Sequence, residues 1–539
     1  MHILGVLIVL SAPCPAQWTL EWSVSEYAGF NNYYDEEPVL LRTQDGGILI
    51  KGGRVGFTTG RDIHLLKYDG AGTLVWSLEW NGAFNGNDRA HAMIESDDGT
   101  IYLAGSTQID TADHDALLLR ISAAGVVDWA SSYSGVSEGE DQAVALDLDV
   151  GGNIYVTGWV CTQPQSAGRV FLMKVDPVGA ITWDLLFATP DAQGLTCGRA
   201  VSAMGDGCRL VYSHWNTDLN EYRNVLVSPT GQVLSDGGGH CAGGAGASAY
   251  AIDVTGSVYM GGKGACGPGI YKSGPNGGLE WFHPITSNLP DNVCCDEFVG
   301  IVLDANGDLY ATGRHYGDDY NGPTYTNSDI LTLKLSPNGS LIWDNRYEFD
   351  GTNNGDLGKT LVVSNDGEVI VGGYSQRAGV GSDADYVALL ISTIGEELDV
   401  MRFDGGSLRD DCVWSVAGDA SEMFLTGISM DTLDIASIIT QKYTRATGLG
   451  QPFSSSAGMS ASQNPFSGTV DIRFDGQAPQ GSEVHLLDVR GRTIQAWNVS
   501  GQSIAMLEAP ELSPGIYIAT YLIDGLLKST VRIALMMRP

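Results

Sequence analysis

Residues 151–158 read GGNIYVTG, and close variants return along the chain: DGTIYLAG at 98–105, TGSVYMGG at 255–262, NGDLYATG at 306–313 and DGEVIVGG at 366–373. A glycine-rich stretch beside an apolar run either cradles an anion or turns the chain between two strands. Recurrence decides for the turn. The last residues of the returning phrases are Gly52, Gly105, Gly158, Ser213, Gly262, Gly313, Gly373 and Gly427, a period of about 53 residues held over eight units. Such a period belongs to propeller or solenoid architectures.

Residues 91–133 show one unit: HAMIES, the turn DDG, TIYLAG, a variable loop, DALLLRIS, the turn AAG, and VVDWASSY. Four short strands rich in Val, Ile, Leu and Tyr emerge, bounded by Gly and Asp-Gly turns. TIYLAG and DALLLRIS are apolar on both faces, so each sheet must be covered on both sides, as blades stacked around an axis are. Before the first unit stands an orphan fourth strand, WTLEWSVS at 18–25, and the eighth unit stops after its third strand, ASIITQKY at 436–443. The N-terminal strand can therefore complete the last blade. A solenoid would need capping repeats at both ends. The expected fold is all-β: an eight-bladed β-propeller over 17–444, closed by the N-terminal strand. A seven-bladed ring with one aberrant unit is the alternative, because units four and five depart from the pattern with CRLVYS and the shortened GIYKSGPNGG.

The composition suits a folded core: 43% hydrophobic and 17% charged residues, with 71 Gly among 539 residues for many tight turns. The 64 acidic against 29 basic residues give a formal charge of −35. That field repels phosphate backbones and anionic lipid, so nucleic acid is not an expected partner. Residues 1–16, MHILGVLIVLSAPCPA, read as an export signal cut after Ala16. No later run reaches the roughly 20 apolar residues of a membrane helix. Eight cysteines follow the signal, an even set that in an exported chain reads as disulfides.

The unit matched most fully by Asp141 to Gly158 and Leu172 to Trp183 resembles the bacterial SBBP-type β-propeller repeat, over roughly 17–444. Beyond it, 445–462 is a Ser/Gly-rich linker. Residues 463–539 alternate into short strands (TVDIRF, EVHLLDV, TIQAWNV, GIYIATYLI, STVRIAL) that read as a small Ig-like β-sandwich. Three motifs in order resemble the C-terminal sorting domain of the type IX secretion system of Bacteroidota. These are Asn464-Pro465-Phe466, Asp488 to Gly491-Arg492, and Pro514-Gly515-Ile516-Tyr517. The resemblance implies passage across the outer membrane by that machinery, and release or attachment at the cell surface.

No HExxH, GxSxG, P-loop or helix-preceding GxGxxG is present. The nine histidines are scattered, and His64, on a third strand, reads as a packed core residue. Two acid sets are ordered: Asp88, Asp141, Asp296, Asp356 and Asp411 stand before first strands, and Asp62, Asp115, Asp329, Asp385 and Asp434 before third strands. Both fall on one rim. They either cap strand starts through Asx-type turns or, in the first set, line the channel mouth and hold Ca²⁺, the one cofactor this chemistry admits. Asp304 to Asp308 resembles part of a calcium loop but occupies a hairpin position. The longest rim loop, 314–329, carries Tyr316, Asp318, Asp319, Tyr320 and Tyr325, which suit contact with an extracellular glycan or protein. Rim cysteines propose Cys161–Cys197, and Cys266 with Cys294 or Cys295, as links between adjacent blades. The functional expectation is a secreted or surface binding and structural module. The rival is a glycan-active hydrolase or lyase using rim carboxylates.

Overall fold

The computed structural model describes residues 18–28, 37–56, 60–135, 139–161, 168–187, 195–205, 207–215, 220–240, 247–264, 267–285, 297–316, 328–348, 355–376, 384–403, 410–419, 421–431, 435–445, 459–462, 469–474, 477–487, 493–508, 515–523 and 526–535. Residues 1–16 lie outside these. The chain divides into two compact units, 1–447 and 448–539.

The first unit is an eight-bladed β-propeller of four-stranded antiparallel sheets. Blade three shows the plan: Gln142–Leu148, Ile154–Cys161, Gly168–Val175 and Ile181–Phe187 pair in sequence order, innermost strand first. Units four and five also build complete sheets, so the seven-bladed alternative is set aside. Blade eight is composite. Trp18–Tyr27 pairs antiparallel with Ala436–Arg445, from Trp18↔Arg445 to Tyr27↔Ser437, and closes the ring. Second and third strands are the most buried, since they face neighbouring blades on both sides: IYVTGWVC and ALLLRI are almost wholly inaccessible.

A repeated staple joins the blades. Trp183, on the outer strand of blade three, lies against Gly231 in the last turn of blade four, and its Nε1–H donates to Pro229 O at 2.9 Å. Trp22, Trp76, Trp129, Trp281 and Trp343 make the same bond to Gly70, Ala123, Pro177, Pro337 and Thr393 carbonyls of the next blade. The turn glycine under each ring has positive φ, as at Gly231 (82°), so only a residue without Cβ both makes the turn and admits the indole.

The innermost strands carry a further repeat that the sequence does not announce. In blades two to eight a β-bulge interrupts pairing at the same level, ejecting His91, Val144, Arg199, Ser248, Val299, Lys359 and Trp414. Gly158 closes the repeated phrase GGNIYVTG but does not end its strand. It lies instead inside Ile154–Cys161, and a Cβ there would sit 1.8 Å from Gln142 O, just before the bulge. Gly105, Gly313, Gly373 and Gly427 meet first-strand carbonyls in the same way. In blade four the pairing puts Tyr212, not Ser213, at this place, and the glycine has moved across the pair to Gly198.

The second unit folds as two antiparallel sheets of three and four strands.

Candidate functional site

The two sets of rim acids meet. Where the third strand of one blade begins, it lies against the segment leading into the next blade. His114 N–H donates to Gly139 O at 2.8 Å and Asp141 N–H to His114 O at 2.9 Å. Ser328 bridges Gly355 in the same parallel sense, Ala384 N–H donates to Asp410 Oδ1, and Arg61 N–H to Asn87 Oδ1. Asp62, Asp115, Asp329 and Asp385 are thereby set beside the segments that carry Asp88, Asp141, Asp356 and Asp411.

Within these junctions the first-strand carboxylates receive protein donors. Asp88 accepts Gly82 N–H at 2.7 Å and Thr107 Oγ1–H at 2.6 Å. Asp141 accepts Gly135 N–H and, at 2.6 Å, Cys161 N–H; Asp356 accepts Gln376 N–H at 3.2 Å. Asp88 and Asp141 pin the incoming loop to the second strand of their own blade, the work of a cap, and Asp356 holds its second strand in the same place. Asp385 pairs with Arg402 at 2.8 Å. Among the described residues no three His, Cys, Asp or Glu side chains group as a metal site. Asp296 lies outside the described residues. At the opposite face Asp304 accepts Asn306 and Asp308 N–H and Asp308 pairs with Lys334, so this turn is scaffold.

Burial pushes the Asp141 carboxyl up to about 6, with the Asp113 and Asp115 charges adding to it against the two N–H donors. Burial and Glu348 likewise hold Asp329 at about 6. A carboxyl raised in the folded state stabilises the fold fully below its unfolded pKa and loses that contribution as pH rises through the folded value. Thermal stability is therefore expected to fall between pH 4 and about pH 6–7 on account of these groups. Asp141→Asn should flatten that slope by on the order of 2 kcal/mol across the interval. Melting curves of both proteins over this range check it, and an unchanged slope would remove Asp141 from the account.

His64 is buried on its third strand, and burial lowers its pKa. The expected Cys161–Cys197 link is corrected: both are free thiols. Cys161 Sγ turns back to Glu140 O at 3.4 Å, within its own blade. Cys197 lies inside the first strand of blade four, Leu195–Met204, paired with Ser213. Cys266, Cys294 and Cys295 lie outside the described residues. So do Asp318, Asp319, Tyr320 and Tyr325, while Tyr316 ends strand Leu309–Tyr316, paired with Ser328. In the tail, Asn464, Pro465, Phe466, Asp488, Gly491, Arg492 and Pro514 are outside them. Gly515 and Tyr517 pair with Leu535 and Ile533.

A concave site lies elsewhere, in a groove of about 390 Å³ between blades one and two. Trp80, Phe84 and Ile109 form its apolar walls, and Thr107, Gln108, Ser131 and Ser132 contribute the polar part. Phe84 is 41% exposed, yet its loop is fixed. Asn81 Nδ2–H donates to Asn85 Oδ1 at 2.9 Å, Asn85 N–H to Gly82 O, and Asn87 N–H to Gln108 Oε1 at 2.7 Å. Asn85 takes φ 57°, a left-handed conformation that Asn tolerates best among residues with a side chain. An apolar ring is thus held in water by a pre-ordered loop, which lowers the entropy lost when a ligand stacks on it. The sequence cue was NGAFNGND at 81–88, a lone aromatic between two Asn-Gly turns.

No protein-family model matches the chain, and no curated protein matches it in sequence. Solved structures similar to it include a protein of unknown function from Bacteroides caccae, at 14% identity, TM-score 0.32, covering 57% of this chain and 96% of that one. The periplasmic gluconolactonase PpgL of Pseudomonas aeruginosa aligns at 15% identity, TM-score 0.39, covering 68% and 96%. The polysaccharide lyase Uly1 aligns at 12% identity, TM-score 0.41, covering 78% and 92%. Likeness at this level carries no functional argument for this chain.

Proposed function

We propose that this protein is an exported binding module, a rigid propeller that presents a ligand groove between blades one and two. The observation that carries the reading is the fixed, water-exposed Phe84, which lines the groove together with Trp80 and an uncharged polar set. Aromatic faces with hydroxyl and amide neighbours suit a neutral ligand with one apolar face, above all a glycan. Ser131 and Ser132 hydroxyls make no hydrogen bond among the described residues and can turn to such a ligand. The enzyme reading draws less support. The two carboxyls held near about 6, Asp141 and Asp329, belong to different blade junctions, where a general acid and base would have to share one pocket.

Delivery rests on the leader-like residues 1–16 and on the three tail motifs in the order of a type IX sorting domain. Expression in a Bacteroidota host with and without 463–539 tests it: the full chain is expected at the surface or in the medium, the truncated one in the periplasm. For the groove, a neutral-glycan array read with wild type and Phe84→Ala is decisive. Loss of a stacked ring should weaken binding by about 10- to 100-fold, and identical array profiles would overturn the groove assignment.

A further inference from the structure

Three cations on the innermost strands, those that line the channel, have no acidic partner among the described residues. Arg89, exposed on the innermost strand of blade two, Arg199, the exposed bulge residue of blade four, and Lys359, the bulge residue of blade seven, form no ion pair among the described residues. The third-strand lysines, by contrast, are paired: Lys67 with Asp45, Lys174 with Asp149, Lys272 with Glu280, Lys334 with Asp308. Acids on the inner strands are already engaged. Glu95 accepts Gln44 N–H, Asp147 accepts Ala203 N–H, and Glu297 pairs with Arg314. The cations are also oriented. Ser213 Oγ accepts from Arg199 Nε at 2.9 Å and leaves the outer guanidinium nitrogens open, and Lys359 Nζ lies 4.0 Å over the Trp414 ring. Burial, and after it the Lys51 and Arg89 charges, pushes the pKa of the neighbouring His91 down to about 4.

From these observations we infer that the central channel is a second binding site, for an acidic oligosaccharide carrying several carboxylate or sulfate groups. Blades two, four and seven are separated by two, three and three steps around the ring, so the cations face a ligand from three sides. A ligand with several negative groups along a short chain can meet them together. Trp414 beside Lys359 supplies an aromatic face for a sugar ring. The chain's charge of −35 disfavours a long polyanion that would trail over the outer faces, and so argues for a short chain within the channel rather than nucleic acid.

The test is titration of the full chain with a heparin-derived hexasaccharide and an oligogalacturonate hexasaccharide, at low and at physiological salt. Cellohexaose and a single-stranded oligonucleotide are the comparisons. Acidic hexasaccharides are expected to bind at low salt and to weaken about tenfold toward physiological salt. Arg199→Gln and Lys359→Gln should each weaken binding by about tenfold or more. Arg169→Gln, an exposed cation on an outer position of blade three, and Phe84→Ala should leave it unchanged, which separates this site from the groove. No binding at low salt, equal loss with Arg169→Gln, or undiminished binding by a folded Arg199→Gln/Lys359→Gln protein would each overturn the proposal. Tighter binding of the oligonucleotide would overturn it in favour of nucleic acid.

Discussion

Deletion of residues 18–27 is expected to leave the propeller without a stable closed ring, giving aggregated or proteolysed protein in place of a soluble monomer. This strand provides the whole outer edge of blade eight, with Trp22 packed on Tyr68 and Phe424 and Lys442 held by Glu21. Its loss strips the outer edge of the Ala436–Arg445 strand and uncovers the apolar cluster of blades one and eight. A folded domain exceeds its unfolded state by only roughly 5–15 kcal/mol, so losing a whole strand's pairing and cover is felt by the entire ring. Soluble yield and size-exclusion profile measure the outcome, and a synthetic peptide spanning 17–28 added during refolding should restore the monomer. A truncated protein that is monomeric and melts like wild type would show that closure does not depend on this strand.

Trp343→Ala should lower stability by about 3–5 kcal/mol. The indole is 8% exposed, meets Tyr310 edge-on at 6.0 Å, lies over Gly395 and donates Nε1–H to Thr393 O at 3.1 Å. Truncation opens a cavity between blades six and seven and leaves that carbonyl without its donor. Trp343→Phe keeps most of the area and loses the hydrogen bond, so it should cost about 1 kcal/mol plus part of the packing. Urea unfolding of the three proteins separates the terms. Equal midpoints would mean that the ring contributes nothing the turn does not already supply.

The blade count and the closing strand were legible because both follow from a period and from an unmatched strand, properties that survive without coordinates. Why Gly158 recurs was not. Its necessity comes from the Gln142 carbonyl across a bulged pair, and a bulge is a property of two strands at once. The same limit explains Tyr212: when the glycine passes to Gly198 on the partner strand, the single-strand pattern shifts by one residue. The rim acids were legible as two sets but not as neighbours, since Asp115 approaches Asp141 only through a bridge between consecutive blades. The Cys161–Cys197 pairing assumed that residues on one rim face one another, whereas Cys161 turns into its own blade. Phe84 went unnoticed because exposure, not identity, makes an aromatic a contact surface.

The row of indole staples has two gaps, one where blade seven meets blade eight, with Asp399 in the tryptophan's place, and one where blade four meets blade five. Where blade four meets blade five, Ser235 holds the tryptophan's place, Gly237 lies against Gly277, and Arg209 reaches Pro275 O while Asn224 reaches Gly256 and Gly274 carbonyls. The cluster spanning that junction has five buried residues, the fewest of the propeller's clusters among the described residues. Polar links exchange readily with water, and indole faces do not. Under heat, denaturant or pulling force the ring therefore has a built-in fracture line at the junction of blades four and five, and it opens there first rather than fraying evenly around its circumference.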